Sequence, residues 1–93
     1  MAGMDTETPK LTVLYFAWLR ERIGTAEEAV SLPASVLTVG DLIAWLAERS
    51  PRHAAAFENR RTIRCAVNQD FAELSVSLRP GDEVAFFPPV TGG

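Results

Sequence analysis

Residues 38–51, TVGDLIAWLAERSP, decide how the rest of the chain is read. Thr38 is suited to cap a helix, and Asp41, three residues on, sets a carboxylate in the first turn against the positive end of the helix dipole. Val39, Leu42, Ile43 and Leu46 then recur at spacings of three and four, which is one apolar stripe facing a core. The residue before a proline is pushed out of the helical region, so Ser50-Pro51 ends the helix. RHAAAFEN, 52–59, adds one or two further helical turns.

On either side of this helix the pattern changes to strands. LTVLYFA, 11–17, is rich in β-branched and aromatic residues and apolar on both faces, which predicts a central strand covered on both sides. A helical turn follows through Arg20 to Ile23, stopped by Gly24 as its C-terminal cap. AEEAVSLP predicts a second strand over 27–32, closed by Pro33. TIRCAVN, 62–68, alternates Ile63, Cys65 and Val67 with Arg64, Ala66 and Asn68, the period-two mark of a strand with one wet face. An extended piece around Phe71 to Leu74, the turn RPGD at 79–82 and a last strand EVAFFPP complete the chain, the double proline stopping that strand because neither residue donates to a ladder. Two strands, a long helix and two or three more strands make an α+β domain, a sheet of four or five strands with one main helix packed across it.

Composition narrows the function. Ninety-three residues, 47% apolar and 23% charged, suffice for one small core. Nine Lys plus Arg against twelve Asp plus Glu leave a net charge of −3, the wrong sign for holding polyphosphate, so no nucleic acid partner is expected. One cysteine, Cys65, excludes an internal disulfide framework, and with one histidine, His53, it cannot furnish a metal site; none is expected. The lone histidine, in a plain helical stretch, also denies the chain a catalytic triad, so it is not expected to be an enzyme by itself. No signal-peptide pattern and no apolar run long enough for a membrane span occur, which predicts a cytoplasmic protein with no membrane partner. Residues 1–9 read as a flexible leader, 10–88 as the domain and 89–93 as an extended tail.

The chain stops at Pro88-Pro89-Val90-Thr91-Gly92-Gly93. A rigid proline pair after an apolar strand projects the residues beyond it, and six extended residues reach about 20 Å. Glycine, lacking Cβ, passes a narrow tunnel where alanine would clash. A terminal carboxylate has a pKa of about 3.3 to 3.7, so at neutral pH it is an anion and a poor electrophile. Adenylation by ATP activates it, after which a sulfur or nitrogen nucleophile takes the acyl carbon. A carrier of this kind needs no catalytic side chain, but it does need an activating protein and an acceptor.

GDEVAFFPPVTGG, 81–93, resembles the C-terminus of the small subunit of molybdopterin synthase. FAWLRERIGT, 16–25, resembles that family's first strand and turn, and CAVNQDF, 65–71, its AVNQ segment. The resemblance implies a ubiquitin-like β-grasp fold and a sulfur carrier of molybdenum cofactor biosynthesis. Gly93 would be adenylated by an E1-like adenylyltransferase that uses ATP, with no cofactor bound by this chain. A sulfurtransferase would supply sulfur for a thiocarboxylate. Docked into the synthase large subunit, that thiocarboxylate would donate sulfur to cyclic pyranopterin monophosphate. The family's apolar partner surface falls on Phe16, Phe71 and Phe87, with ordinary core as the lesser reading of each, and Arg20 is the best polar interface candidate because it sits in a matched segment. With the substrate pocket expected on the partner, Trp18 and Trp45 read as packing residues.

Gly-Gly alone also fits a thiamine-type sulfur carrier or a ubiquitin-like modifier joined to target lysines, and a plain β-grasp binding module is the remaining alternative. Arg22, Arg60, Arg61 and Arg64 read as solvated surface, with steering of a phosphorylated substrate or an acidic partner as the other reading. Cys65 reads as a small buried apolar residue, and His53 as solvent-exposed and incidental.

Overall fold

The computed structural model describes residues 10–89. The flexible leader expected at 1–9 and the tail residues Val90, Thr91, Gly92 and Gly93 lie outside them. The elements are β1 (Leu11–Tyr15), α1 (Trp18–Ile23), β2 (Glu27–Val30), α2 (Val39–Ala47), α3 (Pro51–Ala56), a 3₁₀ turn at Arg60–Thr62, β3 (Arg64–Val67), β4 (Asp70–Phe71) and β5 (Glu83–Phe87). The five strands form one mixed sheet in the order β2-β1-β5-β3-β4, with β1 and β5 parallel and the other neighbours antiparallel.

The start and the apolar stripe of the main helix form as the sequence predicts. The Thr38 hydroxyl accepts from the Asp41 N–H while the Asp41 carboxylate accepts from the Thr38 N–H, a reciprocal capping box. A bond from the Leu37 N–H at 3.0 Å does most to hold the Asp41 carboxyl below its ordinary pKa, and the bonds of the capping box add to it. The next two orphan donors are met from outside the helix, Val39 N–H by the Val76 carbonyl and Gly40 N–H by that of Leu74. Val39, Leu42, Ile43 and Leu46 are all buried. They pack in one cluster with Leu11, Val13 and Tyr15 of β1 and Val84 and Phe86 of β5.

Four expectations need correction. The first strand is buried on one face only: Leu11, Val13 and Tyr15 point into the core while Thr12 and Leu14 remain half-buried. It stops at Tyr15, because Ala17 takes a positive φ of 56° and turns the chain into α1, which begins at Trp18 rather than Arg20. Pro51 does not simply end a helix. Helix α2 is already over at Ala47, and Pro51 opens α3 behind Ser50, whose hydroxyl caps it by accepting from the His53 N–H. His53, expected in solvent, is buried.

Between β3 and β4, Asn68 and Gln69 both have positive φ, 51° and 75°, in the two-residue turn that joins Val67 to Asp70. Asn68 also ties that turn to β5. Its N–H donates to the Glu83 carbonyl at 2.7 Å, its Oδ1 accepts from the Glu83 N–H, and its Nδ2 donates to Asp82 Oδ1, both at 3.0 Å.

Candidate functional site

Strand alternation sorts the two phenylalanines before the prolines onto opposite faces. Phe86 is fully buried, stacked on Tyr15 at 6.3 Å and edge-on to Phe57 at 5.1 Å. Phe87 belongs to the outer face, where register places it opposite Arg64 of β3. One strand further out, Phe71 pairs with Ala66, and its ring lies 6.0 Å from that of Phe87. Phe71 is 85% exposed. The core alternative is thereby excluded for Phe71, and for Phe16, which is 47% exposed one residue past the end of β1.

Phe71 and Phe87 line an open groove of about 590 Å³ together with Leu74, Ile43 and Ile63, with Arg60 and Arg64 on its border. Half-buried Leu14, Ala66 and Ala85 extend the apolar character across the outer sheet face. Phe71 and Leu74 are exposed there, so the groove presents apolar side chains to solvent that a partner's apolar side chains could cover. The structure thus brings Phe71 and Phe87 together. Phe16 and Arg20 are exposed but do not line the groove. Pro88 and Pro89, both half-buried, follow Phe87 directly, so the chain leaves the sheet at the margin of this surface. Gly93 and the residues just before it lie outside the described residues.

The other singled-out residues support the fold. Burial pushes the Cys65 thiol up to about 11, the wrong direction for a reactive thiolate. Trp18 and Trp45 are half-buried against the core, with the guanidinium groups of Arg22 and Arg49 at 5.4 and 4.9 Å from their ring centres.

A polar cluster around His53 escaped sequence reasoning. His53 is 8% exposed. Its Nε2 lies 2.6 Å from Glu28 Oε2, its Nδ1 2.8 Å from the Ser50 hydroxyl, and the Tyr15 hydroxyl donates to the same Glu28 oxygen at 2.8 Å. Arg49 approaches the other Glu28 oxygen at 3.7 Å. For a neutral ring the network assigns the hydrogen to Nε2, facing the carboxylate, and makes Nδ1 the acceptor for Ser50. Hydroxyl, imidazole and carboxylate occur here in the order of a nucleophilic triad, yet Ser50 Oγ already caps α3 and the ring is shut away from solvent. The cluster joins β1, β2, α3 and the link between α2 and α3 instead of building a reaction site. Burial, then the bond to Glu28, pushes the Tyr15 phenol up. Burial also works to raise the Glu28 carboxyl, but bonds from His53 and Tyr15 outweigh it and leave the pKa below its ordinary value. The alternation of Glu27 and Glu28 ahead of Val30 was the one signal that an acid faced inward.

The strand order and the helical layer across one face define a ubiquitin-like β-grasp protein. Within that class the chain belongs to the ThiS family, which matches residues 13–93. A molybdopterin synthase sulfur carrier subunit from Escherichia coli is 45% identical over 83 residues, 89% of this chain and 99% of the relative. Among solved structures, a putative molybdopterin converting factor subunit 1 from Pyrococcus furiosus superposes with a TM-score of 0.72 at 32% identity, covering 89% of this chain and all of that one. The small archaeal modifier protein 1 of Haloferax volcanii gives 0.69 at 30% identity, over 88% and 99% of the two chains.

Proposed function

We propose that this chain is the sulfur carrier subunit of a molybdopterin synthase, acting in molybdenum cofactor biosynthesis in the cytoplasm. An E1-like adenylyltransferase joins the Gly93 carboxylate to AMP from ATP, releasing pyrophosphate. The outer sulfur of a sulfurtransferase persulfide attacks the acyl carbon and displaces AMP, and a thiol then reduces the acyl disulfide so formed, leaving the thiocarboxylate and a disulfide. Within the large subunit its sulfur attacks cyclic pyranopterin monophosphate, and hydrolysis of the acyl–sulfur bond returns the carboxylate. A dithiolene needs two sulfurs, so two charged carriers serve in turn. This chain contributes the carboxyl group and a means of presenting it, and the catalytic groups belong to its partners.

One observation carries this reading. The aromatic pair of exposed Phe71 and half-buried Phe87 lies where the sheet releases Pro88-Pro89, so a partner that covers it is placed to take the residues that follow. Kinship with named sulfur carrier subunits supports it.

The test is intact-mass measurement after incubation with the adenylyltransferase, ATP and a sulfur source. The expected gain is that of one oxygen replaced by sulfur, and deleting Gly93 abolishes both the gain and sulfur transfer. Retained activity in the truncated chain would refute the mechanism. Likeness to the archaeal modifier favours one second reading, isopeptide attachment of Gly93 to target lysines. Adducts of higher mass that survive denaturation would establish it.

A further inference from the structure

Three arginines fall within five residues of a chain whose net charge is −3: Arg60, Arg61 and Arg64. All are exposed. The salt bridges among the described residues are Arg49–Glu28 and His53–Glu28, so none of the three is paired there, not even with Glu58 or with Glu73 across the groove. Arg64 is not left to wander: its guanidinium donates to the carbonyls of Arg61 and Ile63 at 3.3 and 3.2 Å, which holds it at the head of β3.

Register places this charge. Strand β3 runs antiparallel to β5 with Arg64 opposite Phe87, so the arginines gather at the end of the sheet where the tail leaves. Acids lie at the far end of the same ladder. Asp70 follows the β3–β4 turn, and Asp82 and Glu83 open β5. An acidic chain therefore presents a basic face at its working end. Like charges so close repel one another, and covering the neighbouring apolar groove would strip their water unless opposite charge arrived with the cover.

We infer that Arg60, Arg61 and Arg64 form an electrostatic rim that steers and registers the carrier on the synthase large subunit, and that the large subunit places Asp or Glu side chains opposite them beside the pocket for Phe71 and Phe87. This rests on the proposed function, because the large subunit is chosen as the occupant that must both cover the patch and take the tail. The rim sets the encounter rate, and the aromatic pair sets how long the complex lasts.

The experiment measures association and dissociation rates of the full-length carrier with the large subunit of the same organism at low and high ionic strength. The carriers compared are wild type, Arg60→Glu/Arg61→Glu/Arg64→Glu, the corresponding triple Gln variant, and Phe87→Ala. At low salt the Glu variant associates about tenfold more slowly or worse, its salt dependence is flattened, and the Gln variant falls between it and wild type. Phe87→Ala raises the dissociation rate but keeps the wild-type salt dependence. Should the Glu variant misfold, the Gln variant still reports the loss of steering. Wild-type association kinetics in the charge variants would overturn the rim while leaving the carrier role standing. Failure of wild type itself to bind the large subunit would instead overturn the proposed function. Head-to-tail self-association of wild type in sedimentation, lost in the Glu variant, would assign the rim to a second copy of this chain and also overturn the inference.

Discussion

At the scale of single residues, Glu28 is the most connected side chain among the described residues, receiving bonds from His53 and Tyr15 and facing Arg49. Its pKa is lower in the folded chain than the ordinary 4.5. The stability it contributes is therefore fully present above 4.5 and drains away as the pH falls through the folded value. Thermal melts should show a midpoint that drops on acidification below that point, and Glu28→Gln should have a shallower acid limb than wild type. Equal limbs would mean that Glu28 is not the group being read. Ala17 makes a different point. At φ 56° and ψ −133°, with the Leu19 N–H donating to the Phe16 carbonyl at 3.2 Å, it holds the first central position of a type II′ turn, where glycine is favoured. Ala17→Gly should stabilise the fold by about 1 kcal/mol, strain relief exceeding the added freedom of the unfolded chain. A midpoint about 4 to 8 °C higher would show it.

At the scale of elements, β5 has two functions separated by its pleat. Phe86→Ala should cost about 3 to 5 kcal/mol of folding stability, since it empties a site packed by Tyr15 and Phe57. Phe87→Ala should instead weaken partner binding by about 1 to 3 kcal/mol. Denaturant melts alongside calorimetric titration with the large subunit separate the two, and a reversed pattern would place Phe87 in the core. Helix α2 is legible in the sequence because its cap and its apolar stripe both lie between Thr38 and Leu46; its end at Ala47 is not, because Ser50-Pro51 opens α3 instead of closing α2. The reach of β1 is not legible either. Its apolar run continues through Trp18, and local composition alone does not reveal that the chain turns at Ala17 or that one face stays open.

At the scale of the molecule, the buried cluster lies between Leu11 and Phe86, so removing Gly93 should end sulfur transfer and leave the thermal midpoint nearly unchanged. A large fall in midpoint would give the tail a structural part. The order of elements, the α2 stripe and the Thr-Gly-Gly ending were determined by sequence alone, because caps, periodicities and a terminal motif are local properties of a chain. Only the tertiary structure decided that His53 is buried against Glu28, that Phe87 and Phe71 share a surface, and that Arg60, Arg61 and Arg64 gather where the chain leaves the sheet. Those contacts join residues far apart along the chain. They arise from strand register and from the side of the sheet on which the helices settle, and neither is encoded by any one segment read by itself.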